Sequence, residues 1–382
     1  MSLPNNEQLI DALRPVQDPE LHRSIVDLGM VRDVVISASG AVSLTVVLTI
    51  SGCPLRNEIQ QRVNTALRAL DGVTDVALNF GVMTDAERAK VRELVHGNPA
   101  ATAGSTPAQG HSEGRKISFA QPGSKTRPIL ISSGKGGVGK SSVTTNLAVA
   151  LATAGYKVGV VDADIYGYSI PRMLGTDRDP VVIDNMLLPP EAWGVRCISI
   201  GYFVPEGQAV VWRGPMLHKA LEQFLTDVYW DEPDFLLIDM PPGTGDIALS
   251  LSQYLPRAEV LVVTTPQLAA QKVARLSAAM AVKVNLPVRG IIENMSWFIG
   301  EDKKRYELFG SGGGQLLADE LNVPLLAQIP LLEELREGGD TGRPISAIAP
   351  ESEVGLIFAQ LAKRIAEDMK PKKVFSAALK VN

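Results

Sequence analysis

Cysteine is nearly absent from this chain: Cys53 and Cys197 are the two thiols in 382 residues. Two thiols cannot build a disulfide framework, so covalent cross-links are excluded as the source of stability. Aromatic residues are sparse at 5%. No apolar run reaches the roughly 18 residues that crossing a bilayer requires. The opening residues, Met1-Ser-Leu-Pro-Asn-Asn-Glu7, have neither the basic start nor the apolar centre of a secretory signal. Net charge is −5, which gives no electrostatic reason for a nucleic-acid partner. The four histidines, His22, His96, His111 and His218, show no metal-ligand spacing. Together these absences describe a cytoplasmic protein with neither membrane nor nucleic acid among its partners. What remains, 45% apolar and 21% charged residues, is ordinary for a globular chain long enough for two domains.

The chain divides by composition. From Gly97 to Arg127 it reads GNPAATAGSTPAQGHSEGRKISFAQPGSKTR, small, polar and without sustained period, so residues 97–126 are expected to be a flexible linker. Residues 1–96 read as a small α+β domain. Leu9, Leu13 and Val16 begin a helical stripe, Val42–Thr49 alternates as a strand, a helix is expected from Pro54 to Leu70, and Val73–Asn79 reads as a last strand. Residues 127–382 alternate apolar strands with helices. The strand candidates are 128–132, 158–161, 235–238, 260–263 and 288–292, and Val143, Leu147 and Leu151 mark a helix face. Continuous apolar strands separated by helices imply an α/β domain with a doubly wound, mainly parallel sheet covered on both faces.

The chemistry concentrates after the first of these strands. Gly134-Lys-Gly-Gly-Val-Gly-Lys-Ser-Ser142 satisfies G-x-x-x-x-G-K-[ST], with a strand before it and a helix after it. Gly134, Gly136, Gly137, Val138 and Gly139 let backbone N–H groups turn toward phosphates, and the helix N-terminus beyond, with Ser142 in its first turn, favours their charge. Lys140 is expected on the β- and γ-phosphates, with the Ser141 hydroxyl on Mg²⁺. Strand ends deliver three carboxylates to the same neighbourhood. Asp162 and Asp164 are expected to orient water and the magnesium shell, and Asp239 to hold Mg²⁺ through water. Lys135, immediately after the first glycine, is a second lysine that a plain phosphate loop does not need.

That two-lysine loop resembles the MinD/ParA-type ATPases, in which the extra lysine reaches across a dimer to the partner's nucleotide as an arginine finger does. Asp162-Ala-Asp-Ile-Tyr-Gly167, Arg213-Gly-Pro-Met216, Asp239-Met-Pro-Pro-Gly-Thr-Gly-Asp246, Thr265-Pro-Gln267 and Glu293-Asn-Met-Ser296 resemble the Mrp/ApbC family of ATPases, described as iron–sulfur cluster carriers. Asp18-Pro-Glu20 with Leu48-Thr-Ile-Ser-Gly-Cys-Pro54 looks like the iron–sulfur assembly domain often fused to them. The resemblance implies a homodimer that slowly hydrolyses ATP with Mg²⁺ and serves apo iron–sulfur proteins or an assembly scaffold. It assigns Asp164 to orienting the attacking water and Asn294 to contacting adenine. Most such carriers follow Glu-Asn-Met-Ser with a cluster-binding Cys-x-x-Cys pair; residues 294–303 here contain no cysteine. Clusters want thiolates, which leaves Cys53, at a helix start that lowers thiol pKa, as the candidate ligand of a labile cluster. Cys197, in a strand-like run, reads as core. A cluster-free ATP-dependent switch or scaffold is the alternative. A MinD/ParA-like positioning protein would want an amphipathic terminal helix or basic face, and Pro371 breaks the tail.

Overall fold

The computed structural model describes residues 3–19, 21–49, 55–96, 117–121, 123–165, 167–176, 178–183, 186–204, 214–243 and 245–369. The chain splits into two compact units, Met1–His111 with Val181–Leu188, and Ser112–Pro180 with Pro189–Asn382.

In the first unit, α1 (Asn6–Leu13) is opened by a capping box between Asn5 and Gln8, which satisfies orphan N–H groups reciprocally. β1 (Val31–Ile36) pairs antiparallel with β2 (Ala41–Leu48), and α2 (Arg56–Arg68) crosses over to β3 (Asp75–Val82), parallel to β2. The apolar stripes of α1 and α2 (Leu9, Leu13; Ile59, Val63, Leu67) are buried, as are Val42, Leu44 and Val46 of β2. The sequence reading passed over β1 and α3 (Asp85–His96). Cys53 and Pro54 lie outside the described residues.

The second unit is built on an eight-stranded sheet. Its elements are β4 (Arg127–Ser133), α4 (Lys140–Thr153), β5 (Val158–Asp162), α5 (Ile170–Leu174), β8 (Glu191–Ala192), β9 (Val195–Ser199), α6 (Gly214–Thr226), β10 (Phe235–Asp239), α7 (Asp246–Tyr254), β11 (Glu259–Thr264), α8 (Leu268–Lys283), β12 (Val288–Asn294), α9 (Gly313–Leu321), β15 (Leu325–Ile329), α10 (Glu333–Asp340), α11 (Ile345–Ile348) and α12 (Glu353–Lys363). A short hairpin, β13–β14 (Phe298–Ile299, Arg305–Tyr306), is separate from this sheet, and the hairpin β6–β7 (Val181–Ile183, Met186–Leu188) belongs to the first unit. Strand order is β15-β12-β11-β4-β10-β5-β9-β8, parallel throughout except for β8. Strands β5, β9, β10 and β11 are buried at every residue, the pattern of a parallel sheet covered on both faces. α4 is buried from Val143 to Leu151, Thr144, Thr145 and Asn146 included, because the sheet lies on one side of it and α11 and α12 on another.

At the end of the expected linker, residues 117–121 and 123–126 are described. Phe119 is buried in a short 3₁₀ turn, and the Arg257 guanidinium donates to the carbonyls of Gln121 and Ser124. The composition that suggested flexibility hid one buried aromatic.

Candidate functional site

The glycine-rich loop runs from the end of β4 at Ser133 into α4 at Lys140, at the carboxyl edge of the sheet where open α/β folds bind ligands. Its turn needs positive φ at Gly137 (+78°) and Gly139 (+79°), a region that side chains with a Cβ avoid. Two glycines are required by close approach. A Cβ on Gly134 would lie 2.3 Å from the backbone of Val273 and Ala274 in α8, and one on Gly139 would lie 2.1 Å from Asn294 Nδ2. A Cβ on Gly136 or Gly137 would meet nothing within 4 Å. The loop lines a cavity of about 740 Å³ with Lys135, Lys140, Ser141, Ser142 and Asp164 on its wall.

Beneath the loop sits a compact polar cluster. Lys140 Nζ donates to Asp239 Oδ2 at 2.6 Å and lies 3.5 Å from Asp164 Oδ2. Ser141 Oγ also donates to Asp239 Oδ2, at 2.6 Å. Thr144 Oγ1 lies 2.7 Å from Asp239 Oδ1 and 3.0 Å from the Lys140 carbonyl. Asp239 is fully buried, and three donors from one turn of α4 hold its carboxylate. A buried carboxylate needs such pairing. The Ser141 hydroxyl and Asp239 carboxylate are hard oxygen donors side by side, the ligand chemistry that Mg²⁺ takes. The single Lys140 charge faces two carboxylates, so a polyphosphate arriving here would need a divalent cation to balance it.

Asp162 stands at the end of β5 as expected, and its side chain turns inward. Its carboxylate is fully buried and takes the N–H groups of Asp164 (3.2 Å), Ser169 (3.1 Å) and Ile170 (3.3 Å) and the Ser199 hydroxyl (3.0 Å). It ties both ends of the 164–170 loop to β5 and thereby places Asp164. Burial, reinforced by the Asp239 carboxylate, pushes its pKa up to about 7, against the Ser199 hydroxyl, the Lys140 ammonium and the Asp164 N–H.

Lys135 Nζ donates to Gln267 Oε1 at 3.1 Å, just before α8. Asn294, at the end of β12, is buried under the loop and donates Nδ2 to the Val138 carbonyl at 2.9 Å, while its Oδ1 has no partner. Cys197 is fully buried in β9, and burial pushes its thiol well above the ordinary range, so it does not offer a thiolate. Among the described residues no three His, Cys, Asp or Glu side chains converge as a metal centre. After Asn294 the chain forms the β13–β14 hairpin. There Asp302 accepts from the Lys304 N–H and the Tyr306 hydroxyl, contacts that hold its pKa below the usual carboxylate value, and Arg305 lies over the Trp297 ring.

Thr144, Gln267, His218 and Ser250 belong to this neighbourhood and were missed as site residues. Thr144 was legible: it stands four residues after Lys140 and three after Ser141, on one helical face. Gln267 is separated from Lys135 by 132 residues, and no local pattern joins them.

A phosphate loop at the edge of a parallel sheet, with a lysine and a serine on a buried aspartate, defines a P-loop nucleotide-binding protein. Residues 125–366 match the model of the NUBPL iron-transfer P-loop NTPases, and residues 6–78 that of an iron–sulfur cluster assembly protein domain. An iron–sulfur cluster carrier protein of Mycobacterium leprae is 46% identical over 357 residues, covering 92% of this chain and 90% of that protein. One from Synechocystis is 43% identical, covering 94% and 96%. Among solved structures, the nucleotide-binding protein from Archaeoglobus fulgidus in complex with ADP is 36% identical with a TM-score of 0.50, covering 57% of this chain and 88% of that one. The chain belongs to the NUBPL iron-transfer P-loop NTPase family. No helix among the described residues is long and apolar enough to cross a membrane.

Proposed function

We propose that this protein is a cytoplasmic iron–sulfur cluster carrier that binds and slowly hydrolyses ATP with Mg²⁺ as a homodimer. It delivers clusters to apo iron–sulfur proteins or exchanges them with an assembly scaffold. Residues 1–96 serve as the assembly-type domain and residues 127–382 as the ATPase domain. The observation that carries the reading is Lys140 held between Asp239 and Asp164 on the floor of the loop cavity. Incoming β- and γ-phosphates compete with these carboxylates for the ammonium, and the backbone N–H groups of residues 134–142 and the start of α4 take the remaining charge. Ser141 and Asp239 would hold Mg²⁺, which would supply the countercharge. Asp164, released from Lys140, becomes free to orient water. Lys135 is bound to a single neutral amide oxygen, a contact worth about 1.5–3 kcal/mol, which the stronger attraction of a partner's phosphates offsets as it swings toward them. Asn294 takes adenine with the Oδ1 that is left unpartnered. The relatives' shared description as cluster carriers supports the delivery role.

The cluster is cargo, and its ligands must be thiolates. With Cys197 buried, Cys53 supplies the thiol, and glutathione or a client cysteine completes the shell. The absence of cysteine from residues 294–303 favours the second reading, a cluster-free ATP-dependent switch. Anaerobic reconstitution with iron and sulfide separates them. Low, labile occupancy is expected, lost in Cys53→Ala and kept in Cys197→Ala. Absorbance surviving in Cys53→Ala would place the ligands elsewhere, and none in the unsubstituted protein would put the switch first.

A further inference from the structure

The phosphate-loop cavity has a second wall that the nucleotide chemistry above leaves unused. It is formed by Leu217 and His218 of α6 with Ile247 and Ser250 of α7. His218 is held in place there. Its Nδ1 lies 2.9 Å from Ser250 Oγ, and its ring packs on Tyr254 with centroids 4.7 Å apart. Among the described residues, Nε2 has no hydrogen-bond partner.

Charge supply gives this wall a role. Among the described residues lining the cavity, the lysines are Lys135 and Lys140, both on the loop itself, and no arginine is present. Lys140 is shared with two carboxylates, and Lys135 is held by Gln267. A terminal phosphate gripped by the loop still carries charge on oxygens that point away from it, and phosphoryl transfer gathers more there. On the α6–α7 wall, His218 is the side chain with a free ring nitrogen to meet those oxygens.

We propose that His218 is a further nucleotide-contacting residue, donating Nε2–H to the terminal phosphate of bound ATP; this rests on the nucleotide reading above. The contact requires the tautomer in which Ser250 Oγ–H donates to Nδ1 and the neutral ring carries its proton on Nε2. Ser250 is then a positioning residue that fixes tautomer and ring orientation. Because α7 follows directly on the Pro241–Gly245 loop, the contact also tells α6 and α7 which nucleotide is present. ATP engages His218, whereas ADP has no phosphate to reach it.

The test is calorimetric titration of the full chain with Mg²⁺ and either ADP or a non-hydrolysable ATP analogue. His218→Asn keeps a polar group beside Ser250 but cannot reach the Nε2 position. Affinity for the triphosphate is expected to fall roughly tenfold, the weight of one hydrogen bond to a charged group, with ADP affinity within about twofold. His218→Gln, which carries its amide out to that position, should recover most of the loss, and Ser250→Ala should weaken the triphosphate alone and less severely. Equal effects of His218→Asn on both nucleotides, or none on either, would overturn the proposal. If the unsubstituted protein bound neither nucleotide, the nucleotide reading itself would fall, a result distinct from an unchanged ratio.

Discussion

Replacing Thr144 by valine isolates one contact in the cluster beneath the phosphate loop. The side chain is fully buried, so valine fills nearly the same space and opens no cavity. What it removes is the hydroxyl 2.7 Å from Asp239 Oδ1, leaving that oxygen of a fully buried carboxylate without its donor. A hydrogen bond to a charged group contributes about 1.5–3 kcal/mol, and the stranded acceptor keeps its desolvation penalty. Taking about 2 kcal/mol, and about 2–4 °C per kcal/mol for a unit of this size, the melting temperature should fall by about 4–8 °C. Urea unfolding without nucleotide should show a lower midpoint at unchanged m-value, since the surface exposed on unfolding is the same. A double-mutant cycle with Asp239→Asn attributes the loss to the pair. Stability within about 0.5 kcal/mol of the unsubstituted protein would refute the reasoning, because the buried carboxylate would then not depend on the Thr144 hydroxyl.

Lys135→Ala should leave ATP affinity and stability nearly unchanged, since among the described residues its ammonium meets only the Gln267 amide, while phosphate release falls by about 10³, the weight of a finger-like cation. Undiminished turnover would remove Lys135 from the chemistry. Asp162, with its pKa raised to about 7, is protonated in the folded chain where the unfolded one, near 3.9, is ionised. Its contribution is therefore present at low pH and lost as pH rises from about 4 through about 7. Denaturation of Asp162→Asn beside the unsubstituted protein should shift in favour of the asparagine variant across that window and level off above it; parallel curves would contradict this.

The strands were legible because a parallel sheet buried on both faces demands unbroken apolar runs, and each run expected from 128 to 292 became a strand within one or two residues of its bounds. The loop was legible because its spacing is fixed by phosphate geometry. Asp162 shows where reading fails. A carboxylate at a strand end looks solvent-facing, and what turns this one inward is Ser199, on a neighbouring strand 37 residues away. Asn294 lies 156 residues from the Val138 carbonyl that it braces, a relation set by tertiary packing. β1 was missed because Val31-Arg-Asp-Val-Val-Ile36 is only partly buried and breaks alternation at an irregular register.

The glycines of the loop carry an evolutionary consequence. Gly134 and Gly139 are dictated by the protein's own atoms, the α8 backbone and the Asn294 amide, whereas Gly136 has open space around it. A descendant that ceased to bind nucleotide would still be held to glycine at 134 and 139 by its need to fold. Position 136, constrained by the ligand alone, would drift first. Glycine lost at 136 with 134 and 139 intact would mark lineages that kept the scaffold after abandoning the phosphate.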